Sequence, residues 1–188
     1  MKAEVFPVKH PKTVTAVLTV ASLLILWIVT GLVVIYSGLL NVAASRPEGA
    51  ITSWVLGTTM GHSVRRQASG ISPDLSHANL AEGAEHYAAM CVMCHGGPGN
   101  EQPNYIGVGL NPDAPNLMGA AGDWKPGEIY WIIDNGIKMT GMPAFGKTHT
   151  PEQLTNITAF VERLPMMTPQ EYQHLLGAGT TTTTDTTK

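Results

Sequence analysis

The residues best suited to chemistry form one short run, Cys91-Val92-Met93-Cys94-His95. Two thiols three positions apart share a helical turn, where each can form a thioether with a haem vinyl group. The imidazole that follows can then bind the iron as its proximal ligand. We therefore predict one haem c, held covalently through two thioethers by Cys91 and Cys94 and ligated by His95.

Other uses of this cysteine pair are disfavoured. The chain has only two cysteines, so a four-ligand zinc site lacks its second pair. A thioredoxin-like redox pair would need a βαβ pattern around it, which the sequence lacks. Cysteines this close on one turn rarely reach disulfide geometry. Because thioether attachment occurs outside the cytoplasm, the domain is expected to be exported.

The sixth iron position decides between carrying electrons and binding gases, and a methionine is predicted to fill it. Met139 and Met142 lie in the same loop. Met142 precedes Pro143, which favours an extended backbone, and Gly141 gives the chain room to approach the haem. We assign Met142 as the ligand. Met139 is the first alternative and His149 the weakest, and both methionines could instead simply fill gaps in the core.

The elements that position these groups are predicted to be helices, which gives an all-α fold. Residues 80–91 form a helix that delivers the attachment site, and residues 126–136 carry helix start and stop signals. A further helix begins after Thr150, an N-cap with Gln153 at the capping-box position, and ends near Pro165.

An apolar N-terminal span precedes this domain. No charged residue lies between Lys12 and Arg46. Residues 13–40 are long enough, at about 1.5 Å per residue, to cross a hydrocarbon core of about 30 Å. The lysines before the span favour a single-pass protein of the inner membrane with a cytoplasmic N-terminus and a periplasmic haem domain. The alternative is a signal peptide cleaved near residues 43–45, but such apolar regions are usually only about 7–15 residues long.

These segments divide the chain into five predicted parts. They are a cytoplasmic N-terminus (1–12), a transmembrane anchor (13–40), a juxtamembrane segment and linker (41–78), a haem domain (79–176) and a disordered tail (177–188). Residues 1–70 sum to a charge of +4 and residues 71–188 to −7, so nucleic acid is not an expected partner. No catalytic acid–base constellation stands out, so we predict neither enzyme activity nor a small-molecule substrate.

The motifs also carry a family resemblance: residues 79–166 are similar to a class I c-type cytochrome domain. The matching residues are Gly83, Tyr87, Cys91, Cys94, His95, Pro115-Asn116-Leu117, Met142-Pro143, Ile157 and Phe160. The resemblance implies that the first and last helices cross near Gly83, with Tyr87 packed against Ile157 and Phe160. It further implies that Pro115, with Pro112 as the alternative, presents a backbone carbonyl to the proximal imidazole and so fixes the orientation and tautomer of the ring.

Together these features predict a membrane-anchored monohaem cytochrome. It would pass single electrons from a protein donor to a protein acceptor on the periplasmic face, in a respiratory-type chain. One alternative is a haem c subunit of a larger membrane dehydrogenase or oxidase complex. Another is a haem-based ligand-binding sensor, against which Met142 argues.

Overall fold

The computed structural model describes residues 11–100 and 105–180, which fold into helices and contain no β-strand. In chain order the α-helices are α1 (Pro11–Ser37), α2 (Ala50–Gln67), α3 (Leu80–Met90), α4 (Val92–His95), α5 (Tyr105–Val108), α6 (Leu117–Ala120), α7 (Pro126–Asn135), α8 (Pro151–Arg163) and α9 (Pro169–Thr180). Short 3-10 turns cover Ala121–Asp123, Phe145–Lys147 and Leu164–Met166. The predicted all-α fold is confirmed.

The α1 helix belongs to a separate compact unit that extends to Arg46. Among the described residues it is the one helix long and apolar enough to cross a membrane, with a mean hydropathy of 2.6 over an 18-residue stretch within Lys12–Ser37. It ends three residues before the predicted boundary because Gly38 adopts a left-handed conformation with φ of 68°. Residues 1–10, which fall in the predicted cytoplasmic segment, lie outside the described residues.

The core of the second unit forms where α3 crosses α8. A Cβ on Gly83 would collide with the backbone carbonyl of Asn156 and lie 2.9 Å from the Cβ of Phe160, so the two helices meet in near backbone contact. Tyr87 and Phe160 are both fully buried, and their ring centroids are 5.1 Å apart. Ile157 is buried in the same cluster. The helix crossing that the family resemblance implied is confirmed.

The start of α3 is fixed by hydrogen bonds from both helices. The Asn79 side chain accepts the N–H groups of Ala81 and Glu82, which makes it the N-cap of α3. The buried side chain of Asn156 on α8 accepts the N–H of Asn79 at 2.8 Å and donates to the Glu82 carboxylate at 3.0 Å. The crossing is therefore held by polar contacts as well as by packing.

The α7 and α8 helices begin as the sequence indicates. Thr150 accepts the N–H of Gln153 at 3.2 Å, and the Gln153 side chain accepts the N–H of Thr150 at 2.9 Å, which completes the predicted capping box. The α7 helix has a proline in its first turn and ends at Gly136, whose φ is 64°. The predicted helices over 126–136 and 150–165 are confirmed.

The α9 helix packs against the same core. Tyr172 is buried, and its ring centroid lies 5.7 Å from that of Phe160. The helix runs to Thr180, so the chain is helical for four residues beyond the predicted start of the tail at 177. The rest of the predicted tail, residues 181–188, lies outside the described residues.

The segment predicted as a juxtamembrane linker contains α2, and this is where the structure departs most from the expected boundaries. Val64 and Ala68, at the C-terminal end of α2, are buried, and the compact unit begins at Pro47 rather than near Asn79. The Arg65 guanidinium carbon lies 5.1 Å from the centroid of the Trp124 ring, a cation–π geometry. A stripe of glycine, alanine and valine gives a weak hydrophobic pattern, and for this reason the contact is hard to read from the sequence.

Candidate haem-binding site

The attachment motif lies where α3 passes into α4. The Cys91 carbonyl accepts the N–H groups of Cys94 at 3.0 Å and His95 at 2.9 Å, so the two thiols and the imidazole follow one another on a single helical turn. The turn ends at Gly96, where φ is 70°. The buried Tyr87 hydroxyl donates to the Gly96 carbonyl at 2.8 Å and holds this end of the turn against α3.

The proximal imidazole is oriented by a backbone carbonyl. His95 Nδ1 lies 2.8 Å from the Pro115 carbonyl oxygen, across 20 residues of sequence. Since a carbonyl only accepts, Nδ1 must carry the hydrogen, which leaves the Nε2 lone pair for a metal ion. Asn116 then caps α6 by accepting the N–H of Met118 at 2.8 Å, which fixes the carbonyl-bearing segment in place.

Burial shifts the pKa of both the His95 imidazole and the Cys91 thiol. It lowers the pKa of His95, against the smaller opposing effect of the Pro115 hydrogen bond, and so favours the neutral ring that binds iron. Burial, with a smaller contribution from Cys94, raises the pKa of the Cys91 thiol to about 12. Both cysteines are free and half-buried. Each thiol is thus available to form a thioether.

The candidate sixth ligands occupy different environments. Met142 is half-buried and packs against the hydrophobic core, with its N–H directed to Thr140 Oγ1 at 3.2 Å. Met139 is 90% exposed and has a positive φ of 63°. His149 is held in a separate cluster, with its ring centroid 5.2 Å from that of His86 and 5.5 Å from that of Phe145.

The loop that carries Met142 is closely packed on both sides. A Cβ on Gly136 would lie 2.7 Å from the Met142 carbonyl oxygen, and one on Gly141 would lie 2.6 Å from Leu110 Cδ2. Gly141, which we expect to give the chain room to approach a haem, also admits Leu110 from the preceding loop. The Met142 backbone is therefore held between α7 and the loop before α6.

The donor set fits a haem c. Two free thiols share a turn with an imidazole whose hydrogen-bonded tautomer leaves Nε2 for iron, and a half-buried thioether lies in the loop after α7. Sequence reasoning did not find two contacts that support this arrangement, the Asn156 hydrogen bonds and the Arg65–Trp124 stack. Neither has a local sequence signal, because each joins residues more than 50 positions apart.

Comparison with known proteins supports the same class. Residues 78–161 match the family described as cytochrome c oxidase, cbb3-type, subunit III. The chain is 30% identical over 118 residues to the cbb3-type cytochrome c oxidase subunit FixP of Sinorhizobium medicae, a match that covers 57% of this chain and 37% of that protein. It is 26% identical over 133 residues to 1-butanol dehydrogenase (cytochrome c) of Thauera butanivorans, which covers 68% of this chain and 18% of that protein.

The chain thus spans little more than a third of the first relative and less than a fifth of the second. No solved structure matches the chain. The fold, the site and the family match over residues 78–161 are consistent with a class I c-type cytochrome domain, which follows an N-terminal helix long enough to cross a membrane. These similarities point to an electron-transfer haem protein, either a carrier or a non-catalytic subunit.

Proposed function

We propose that this chain is a membrane-anchored monohaem cytochrome that passes single electrons between redox proteins on the periplasmic face of the inner membrane. The haem is attached by thioethers to Cys91 and Cys94, and the iron is ligated by His95 and Met142. When bound, haem c supplies an iron that alternates between the ferric and ferrous states. The anchor is residues 13–40, with the N-terminus in the cytoplasm.

The observation that carries this proposal is the hydrogen bond between His95 Nδ1 and the Pro115 carbonyl at 2.8 Å. A neutral histidine held in this tautomer directs Nε2 outward as a ligand, and the carbonyl partner raises its basicity. No such orientation is needed for a histidine that merely follows a cysteine pair. The half-buried position of Met142, against the 90% exposure of Met139, supports closure of the sixth position by Met142.

Each part of the chain then has a role in electron transfer. The α3–α4 turn would hold the two cysteine sulfurs and the imidazole in position for a bound haem. The segment between α7 and α8 would supply the Met142 sulfur as a second, soft ligand, which would raise the reduction potential of a bound haem and keep gases from its iron. Because these residues are packed against the core or hydrogen-bonded to it, they would move little when a bound haem gains or loses an electron.

A second candidate is a haem c subunit of a larger membrane complex. It is favoured by the two relatives, one of which is an oxidase subunit and the other a dehydrogenase. Purification in mild detergent separates the two candidates. A stable complex with catalytic subunits supports the second, and a chain that purifies alone while still exchanging electrons with membrane fractions supports the free carrier.

The ligand assignment is tested by replacing each methionine. In the Met142→Ala variant the soft donor is lost, so the reduction potential should fall and carbon monoxide should bind readily to the ferrous protein. The matched Met139→Ala variant should leave both properties nearly unchanged, because that side chain is exposed. The weak near-infrared band of sulfur-ligated ferric haem should vanish only in Met142→Ala.

Other results would contradict specific parts of the proposal. If the band survives in Met142→Ala and is lost in Met139→Ala, the ligand is Met139. If it is absent from the unmodified protein, a ligand-binding role replaces electron transfer. Covalent attachment is checked separately, since haem should stay with the chain on a denaturing gel and be lost when both Cys91 and Cys94 are replaced by alanine.

A further inference from the structure

The first half of α2 is apolar and uncovered. Ile51 is 79% exposed, Trp54 69%, Leu56 53% and Val55 44%. No charged residue occurs between Glu48 and Arg65. We call residues 50–60 the overhang. Exposed apolar side chains this closely grouped mark a surface that another apolar phase covers.

The overhang continues the stripe with which α2 packs on the cytochrome domain. Gly61, Val64 and Ala68 are buried, and at 3.6 residues per turn the same stripe passes back through Gly57 and Trp54. At Gly57 an added Cβ would meet no atom within 4 Å. The helix therefore extends beyond the domain surface that covers its second half.

The covered half of α2 is firmly held. In addition to the contact of Arg65 with Trp124, a Cβ on Gly127 in the first turn of α7 would collide with the Ile71 carbonyl, so the chain after α2 lies directly on α7. Whatever covers the overhang therefore also constrains the orientation of the cytochrome domain.

The short connection between α1 and α2 limits how far the overhang can lie from the membrane. Only residues 38–49 separate α1 from α2, and twelve extended residues span at most about 40 Å. With α1 in a bilayer, the start of α2 lies within about 40 Å of the membrane surface. The first part of the connection also carries apolar side chains, with Leu39, Leu40 and Val42 exposed.

The net charge of the segment around the overhang also favours contact with the membrane surface. Residues 38–70 sum to +2, whereas residues 71–188 sum to −7. Anionic headgroups attract basic residues close to the membrane, and Arg66 in the last turn of α2 is exposed. Tryptophan is the residue most typical of the interfacial layer, and Trp54 lies in the overhang.

We propose that the overhang lies in the interfacial layer of the lipid bilayer, with Arg66 directed to headgroup phosphates, and that α2 thereby fixes how the cytochrome domain faces the membrane. This inference rests on the membrane anchoring by α1 that the proposed function includes. It adds a second lipid contact, on a helix that packs against the cytochrome domain itself.

The test uses spin labels on the full-length haem-loaded protein, reduced and reconstituted in phosphatidylcholine vesicles with one-quarter phosphatidylglycerol. Single cysteines are introduced as Trp54→Cys and Ile51→Cys in the overhang, Leu24→Cys in α1 and Met166→Cys on the cytochrome domain. Met166 is the matched control because it is apolar and 81% exposed. Two overhang positions are used so that one poorly tolerated replacement does not decide the outcome.

The overhang labels should collide readily with oxygen, as the Leu24 label does. Their collision rate with a water-soluble nickel complex should be about fivefold or more below that of the Met166 label, as expected for residues at the acyl boundary. A water-accessible Leu24 label would show that α1 does not lie in the bilayer, which contradicts the membrane anchoring of the proposed function. A lipid-facing Leu24 label with overhang labels as water-accessible as Met166 would overturn this inference alone.

Two further outcomes would also overturn it. Overhang labels that are shielded from both reagents and show spin–spin broadening would assign the surface to a second copy of the chain. Overhang labels that are water-accessible in vesicles but shielded in native membranes would assign it to a partner subunit.

Discussion

Replacing Gly83 with alanine tests the helix crossing at the centre of the fold. The added Cβ would collide with the Asn156 carbonyl and lie 2.9 Å from the Cβ of Phe160, whereas carbon atoms in good contact are about 3.5–4.0 Å apart. To accept it, α3 and α8 must separate by about 1 Å. Separation would loosen the contact between Tyr87 and Phe160, both fully buried.

The expected loss of stability is the cost of overpacking minus the gain in helix propensity. Overpacking a tight core contact costs about 1–3 kcal/mol, and here the upper end applies because a backbone carbonyl cannot turn aside as a side chain can. The higher helix propensity of alanine returns up to about 1 kcal/mol. The Gly83→Ala protein should therefore unfold with a free energy about 2 kcal/mol below that of the wild type.

The measurement is guanidinium unfolding in detergent, followed by far-ultraviolet circular dichroism. Gly57→Ala is the matched control, because Gly57 is also inside a helix and has no neighbour within 4 Å of an added Cβ. It should leave stability unchanged or raise it by up to about 1 kcal/mol. If Gly83→Ala is as stable as Gly57→Ala, the helices do not meet as closely as described.

Three further predictions follow from buried groups and charge. Tyr87→Phe should cost about 1 kcal/mol at pH 7 through the lost hydrogen bond to Gly96. Burial raises the pKa of Tyr87 above its ordinary value of 10.0. The wild type therefore keeps this stability below pH 10. At higher pH it should lose about 1.4 kcal/mol of stability per pH unit relative to the variant, until the pKa of the folded state is reached. If the difference in unfolding free energy between the wild type and Tyr87→Phe is the same at pH 8 and pH 11, this prediction is wrong. Asn156→Ala should cost about 2 kcal/mol because it removes two hydrogen bonds from a buried crossing, whereas Thr155→Ala beside it should cost less than about 1 kcal/mol, both measured by urea unfolding. The electron-transfer rate with a soluble basic partner should fall as ionic strength rises, given the charge of −7 on residues 71–188, and a flat profile would refute electrostatic steering.

Features carried by short runs of residues could be predicted from the sequence. The turn that holds Cys91, Cys94 and His95 depends on spacing within five residues, and the α8 capping box depends on Thr150 and Gln153, three positions apart. Such local contacts form wherever the chain is helical, because their geometry is set by the 3.6-residue period. The apolar α1 span is equally local, since length and composition alone define it.

Tertiary packing decided the features that depend on distant residues. The sequence ranked Met142 above Met139 from their neighbours in the chain, but only the fold shows one half-buried against the core and the other 90% exposed. The packing of α2 on the cytochrome domain could not be read from a stripe of small residues, because glycine and alanine give little hydrophobic signal. Its contacts arise only when folding brings Trp124, just before α7, and Gly127, in its first turn, to the same place as Arg65 and Ile71, which lie more than 50 residues earlier in the chain.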